Sequence, residues 1–217
     1  MLKRFVLTGA ALLLLLLVYL LSLLPLFLMR TRLDEITLLQ WLCFWVTLAA
    51  LLLPVFLGWI IRRCWYFSGS GSPVQAEELQ RRLLRVNDIR GPVRAVGERN
   101  KLVLTWRHED PQWCELLSRL NVTRLYELHC RLEPATRTVL LMDRMRTADF
   151  LICPDQVKIG LRRIPLPFCR VRPGRLGMIE QYAQTAAHEY DFHPREIKSP
   201  VMGTILSSGW NVRFSLF

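Results

Sequence analysis

The chain has 217 residues, 52% of them apolar, with 29 Lys and Arg against 18 Asp and Glu and a net charge of +11. Such a balance favours anionic partners. The six cysteines, at 43, 64, 114, 130, 153 and 169, form no CxxC and show no metal-ligand spacing. P-loop, GxGxxG, GxSxG and HExxH patterns are also missing.

Two uncharged apolar runs, 5–29 and 36–61, open the chain. Each exceeds the roughly 20 residues that an α-helix needs to cross a bilayer. Only Arg30-Thr-Arg-Leu-Asp-Glu35 separates them, which predicts a transmembrane helical hairpin over residues 1–67. A cleavable signal would have a shorter apolar core followed by a small-x-small site, and neither run fits. Lys3, Arg4, Arg62 and Arg63 flank one side and Arg30 and Arg32 the other, so the positive-inside rule places both termini in the cytoplasm. A bacterial inner or plasma membrane is the expected location. Neither span holds an ionisable residue, which argues against transport by the hairpin alone. Pro25 and Pro54 are possible kinks.

Residues 68–72, Ser-Gly-Ser-Gly-Ser, read as a flexible linker, followed by a soluble α+β domain over 73–217. Ser72-Pro73-Val-Gln75 reads as a capping box opening a helix with Ala76, Leu79, Leu83 and Val86 on one face. Residues 93–96 and 101–106 read as a hairpin joined through Gly97-Glu-Arg-Asn100. Asp110-Pro111 caps a helix with Trp113, Leu116, Leu117 and Leu120 on one stripe. Tyr126, Leu128, Cys130 and Leu132 alternate along a strand, and Glu133-Pro-Ala-Thr136 turns it back into 137–145. A further strand is expected over 156–164, and a helical stripe of Ile179, Ala183, Ala186 and Tyr190 follows. A helix from Pro194 to a stop at Gly209 and a closing strand over 210–217 complete the domain. The expected fold is thus a two-helix membrane hairpin and a small α+β domain built from antiparallel hairpins.

Three segments carry candidate chemistry. His188-Glu189-Tyr-Asp191-Phe-His193 gathers imidazoles and carboxylates, but its histidines are five apart, whereas helical metal ligands sit at i, i+4. In His108-Glu109-Asp110 the acids serve a helix N-terminus and His108 lacks a nucleophile in sequence. The stretch 156–179 contains Lys158, Arg162, Arg163, Arg170, Arg172 and Arg175 without one acid, interleaved with Ile164-Pro-Leu-Pro-Phe168. Lys158, Arg162, Arg163, Leu166, Phe168, Arg170, Arg172 and Arg175 therefore form the candidate anion- or membrane-surface site, cations holding the headgroups while Leu166 and Phe168 enter the interface. The expectation is a non-enzymatic, membrane-anchored interaction protein binding membrane lipids or another membrane protein or complex, with no cofactor and no metal. A nucleic acid is the less favoured partner, since no binding module is recognisable. The competing reading is a membrane-tethered enzyme acting on a lipid-derived or phosphorylated substrate, with His108 and His188 the residues to test.

Overall fold

A computed structural model describes residues 2–28, 34–150, 157–166, 171, 177–183, 185 and 190–215. They form two compact units, Met1–Trp65 and Tyr66–Phe217.

The first unit is a pair of helices, α1 (Leu2–Leu28) and α2 (Glu35–Cys64). At 1.5 Å per residue each is about 40 Å long, against the ~30 Å of a hydrocarbon layer. Both are apolar enough to cross a membrane. They run antiparallel, with the Phe5 ring against Trp65 and Tyr19 against Trp45. Two hydrogen bonds join the helices. Tyr19 donates its hydroxyl to the Ala49 carbonyl and Trp45 Nε1 donates to Ser22 Oγ at 2.9 Å. Leucines such as Leu13, Leu16, Leu20 and Leu51 stay exposed around the pair. Pro25 and Pro54 lie inside the helices, and Gly9 and Gly58 face open space, so neither glycine serves close helix approach.

The second unit is α+β. Its strands are β1 (Tyr66–Phe67), β2 (Val93–Glu98), β3 (Lys101–Trp106), β4 (Arg124–Glu133), β5 (Thr138–Asp149), β6 (Lys158–Pro165) and β7 (Asn211–Phe214). They make a sheet of order β1-β7-β5-β4-β3-β2, with β6 also on β5. The sheet is mixed, since β7 lies parallel to β5 while the other pairs are antiparallel. That corrects the expectation of hairpins alone. The chain reaches β7 from β6 through two helices, and a crossover of that kind can return a strand parallel to an earlier one.

The helices are α3 (Ala76–Leu84), α4 (Pro111–Arg119), α5 (Met178–Ala183) and α6 (Pro194–Ser207). Asp110 caps α4 as expected, its side chain accepting from the Gln112 amide. The buried stripe is rotated, however: Trp113, Cys114 and Leu117 are inside while Leu120 is exposed. α6 ends in a Schellman motif, with Gly209 N–H donating to Leu206 and Trp210 N–H to Ile205. Gly209 sits at φ +75°, and a Cβ there would meet the backbone of Ser72 and Pro73.

That contact explains a second difference. Residues 68–72, expected as a free linker, lie against the end of α6. Gly69 N–H donates to Asn211 Oδ1, and the amides of Ser70 and Gly71 donate to the Leu206 carbonyl. A Cβ on Gly71 would fall 1.8 Å from the Ser207 carbonyl oxygen. The glycines are there for close approach, which composition alone reads as flexibility. The capping box is absent too: α3 starts at Ala76, and Gln75 provides no side-chain cap.

The helix-side core is built on Leu102, Leu104 and Trp106 of β3, Tyr126, Leu128 and Cys130 of β4, and Val139 and Leu141 of β5. Inside it lies a buried ion pair. Lys198 of α6, 1% exposed, contacts Asp143 of β5 and stacks over the Phe214 ring, while the Tyr126 hydroxyl donates to the other Asp143 oxygen. The neighbouring Cys130 thiol is pushed up by burial, so it is an inert core residue. Removing one partner of such a pair leaves an uncompensated buried charge. Residues 66–217 should unfold cooperatively without the long helices. Lys198→Met should cost that fragment about 3 kcal/mol, and adding Asp143→Leu should recover most of it. Denaturant titration of the three proteins checks both expectations.

Candidate functional site

Strand alternation gives the sheet a second face, opposite the helix-side core. Its residues fall in three cross-strand rows. One row runs Arg94, Thr105, Glu127, Arg144. The next runs Val96, Val103, His129, Met142. The third runs Glu98, Lys101, Arg131, Leu140, Arg213 and ends at Tyr66. Beyond the first row, Arg146 of β5 pairs with Arg163 of β6. Most of these side chains are half-buried or exposed; Glu127 and Leu125 are the buried positions among β4's contributions.

Glu127 is the electrostatic centre of this face. Arg146 Nη1 donates to its Oε1 at 2.9 Å, Arg163 Nε donates to its Oε2 at 2.8 Å, and His129 Nε2 lies 2.9 Å from Oε2. Arg146 is itself held by its Nε, which donates to the Gly160 carbonyl at 2.8 Å. A Cβ on Gly160 would collide with Thr147 Oγ1, so any other residue there would require the Thr147 side chain to turn away. Burial pushes the Glu127 carboxyl up, but hydrogen bonds from His129 and Arg146 and the charges of Arg163 and Arg146 outweigh it. The net result lowers it to about 2. Glu127 is therefore ionised at any physiological pH, a fixed counter-charge and not a general acid or base.

The expected surface site divides. Lys158, Arg162 and Arg163 lie on β6, all exposed, and Leu166 follows it at intermediate burial. Phe168, Arg170, Arg172 and Arg175 lie outside the described residues. Arg163 is not the unpaired cation that an acid-free stretch suggests. Its acid is Glu127, 36 residues away in sequence and adjacent in space. β6 adds two apolar side chains that the motif did not single out as insertion residues: Leu161, 93% exposed, and Ile164, 54% exposed. Arg94, Arg131, Arg144, Arg146 and Arg213 were also missed. They are spread over β2, β4, β5 and β7, out of phase with the core residues, and that shared phase is the signal that could have found them.

Among the described residues, the other two segments do not assemble a reactive site. Glu109 pairs with Arg94, Asp110 caps α4, and His108 Nδ1 lies 3.1 Å from the Trp106 carbonyl oxygen. The adjoining depression of 510 Å³ is lined by Asn87, Arg94, Arg107, Glu109 and Asp110, with no Ser, Thr or Cys. Asp191 pairs with His193 and Arg195; His188 and Glu189 lie outside the described residues. No cluster of three metal-ligating side chains occurs among the described residues. Cys43, Cys64 and Cys130 are free, whereas Cys114 is disulfide-bonded. That bond differs from the reduced thiols expected of a cytoplasmic domain.

No known family matches the chain, and no curated protein or solved structure shows significant similarity to it.

The Glu127 cluster gives a signed pH prediction. Its carboxyl titrates lower in the folded than in the unfolded state, so its stabilisation is complete above about pH 4.5 and is lost as pH falls toward about 2. Glu127→Gln should lower the stability of residues 66–217 by about 3 kcal/mol at pH 7. The gap between variant and parent should narrow below pH 4.5. Urea titrations at pH 7 and pH 3 measure it.

Proposed function

We propose that the protein is a membrane-anchored interaction protein in which α1 and α2 form a transmembrane hairpin and the α+β domain engages the anionic surface of its membrane through β6. Length, hydropathy and the exposed leucines around the helix pair support the hairpin. Leucines in that number stay exposed on a soluble protein only at a large solvation cost, which lipid removes.

β6 carries the reading of the domain. Leu161 and Ile164 project from the same short strand as Lys158 and Arg162. Burying one such aliphatic side chain is worth about 1.5–3 kcal/mol, and a cation near an anionic leaflet adds about 1 kcal/mol. Neither term alone holds a domain on a surface. With the chain passing from Cys64 of α2 to Tyr66 of β1 across one residue, the tether makes modest terms sufficient.

The flanking Lys and Arg support cytoplasmic termini. The Cys114 disulfide opposes that side, because cytosolic thiols are kept reduced. A reporter fused after Phe217 should be active in the cytoplasm, and a tag inserted at Thr31 should be reached from outside. Protease cleavage of the domain from the external face would reverse the orientation and account for the disulfide.

The lipid reading is tested by vesicle flotation of residues 66–217. The fragment should float with phosphatidylglycerol vesicles, fail to float with phosphatidylcholine, and release as salt rises. Leu161→Ser with Ile164→Ser should reduce flotation about tenfold, and Arg162→Gln should reduce it less. Equal flotation with both lipids, or no change in the double variant with its fold intact, would overturn the assignment of β6.

A further inference from the structure

We infer that the arginine face of the sheet is a docking surface for an acidic amphipathic helix of a partner protein. This rests on the domain being an interaction module, but not on β6 binding lipid.

The geometry of the three rows leads to that occupant. Val96, Val103 and Met142 form an apolar line across β2, β3 and β5, interrupted at β4 by His129, with Leu140 beside it. Val96 is 53% exposed, and Val103, Leu140 and Met142 are half-buried. Arg144 flanks the line on one side; Lys101, Arg131 and Arg213 flank it on the other. Residues of one face repeat about every 6.7 Å along a strand, so the two cationic rows stand about 13 Å apart. An α-helix with its side chains is about 10–12 Å across. A helix with an apolar stripe bordered by carboxylates therefore meets aliphatic side chains at its centre and guanidinium groups at both edges.

Charge on the face is not internally neutralised. Arg146 and Arg163 are taken up by Glu127, and Arg94 by Glu109. Lys101 stands opposite Glu98 across the β2–β3 pair, but Arg131 and Arg144 have no ion-pair partner among the described residues, and Arg213 lies over the Tyr66 ring with its Nε left without a hydrogen-bond acceptor. The face already shows how it takes a carboxylate: Glu127 receives a charge-assisted hydrogen bond from one arginine on each oxygen.

Other occupants fit less well. A second copy of the domain would bring an equally basic face against this one. A single-stranded nucleic acid needs stacking platforms, and Tyr66 is the one Phe, Tyr or Trp in these rows. A bilayer needs apolar groups that protrude beyond the cations, as Leu161 does, whereas the short valines lie among long arginines.

The test uses the full chain in phosphatidylcholine nanodiscs. The probes are a synthetic Leu/Glu helix with its leucines on one face, the same composition with leucines scattered, and the Leu/Lys counterpart. The one-faced acidic peptide should bind, and the other two at least tenfold more weakly. Arg131→Gln with Arg144→Gln should weaken binding about tenfold, and Val103→Ser with Met142→Ser by a similar factor. Leu161→Ser should leave it unchanged, which separates this surface from the lipid-binding strand. Lys101→Gln, at an exposed strand end, provides a second charge variant should the arginine pair fail to fold. Binding that ignores where the leucines lie, survives these changes, or moves to phosphatidylglycerol vesicles or single-stranded RNA in their place would overturn the proposal.

Discussion

The ladder between β4 and β5 is the constraint on which the α+β domain depends. It runs without a break from Arg124 opposite Thr147 to Glu133 opposite Thr138. β5 then takes β7 along the first part of its other edge and β6 along the second. A one-residue slip in this ladder would exchange the faces of every side chain on the moving strand. Asp143 would turn away from Lys198, and Arg146 would leave Glu127. The two charge clusters, one on each face, thereby penalise the wrong register as well as stabilising the right one. Lys198 on α6 reads the register of β5 from the helix side, and Arg163 reads it from β6. Neither cluster is a reactive centre: one is sealed beneath a helix, and the other holds its carboxylate permanently ionised.

The sheet is managed differently at different positions. Along β2, Asn87 donates to the Ala95 carbonyl and accepts from its amide, so one side chain imitates a neighbouring strand. That blunts an edge which would otherwise invite pairing with another chain. β6 exposes a leucine and an isoleucine among its charged residues. The domain thus blunts its β2 edge and leaves apolar side chains exposed on β6.

Most local elements were legible in the sequence, and the reasons for the misses are physical. Uncharged length identified α1 and α2 because no other pattern produces such runs. Alternation at Tyr126, Leu128, Cys130 and Leu132 located β4, and Pro194 and Gly209 bracketed α6, because these residues report backbone geometry directly. Residues 68–72 were misread because glycine permits flexibility and close packing alike, and only the position of α6 decides between them. The site was half legible. A cluster along the chain marked β6, but a cluster assembled from several strands leaves only one or two cations per segment, each looking like an ordinary solvated residue. Pairing of Arg163 with Glu127 could not be seen for the same reason: their separation in sequence hides their adjacency across the sheet.

The central claim is that the arginine face is open on the chain itself and covered by a partner in the membrane. Thiol labelling of single-cysteine variants of the full chain tests it most directly, comparing Val103→Cys and Met142→Cys with the core position Leu104→Cys. The account predicts that 103 and 142 react with a maleimide in purified, detergent-solubilised protein and are protected in native membranes, while 104 is protected in both. Protection of 103 and 142 in the purified chain, or equal labelling in both preparations, would contradict it.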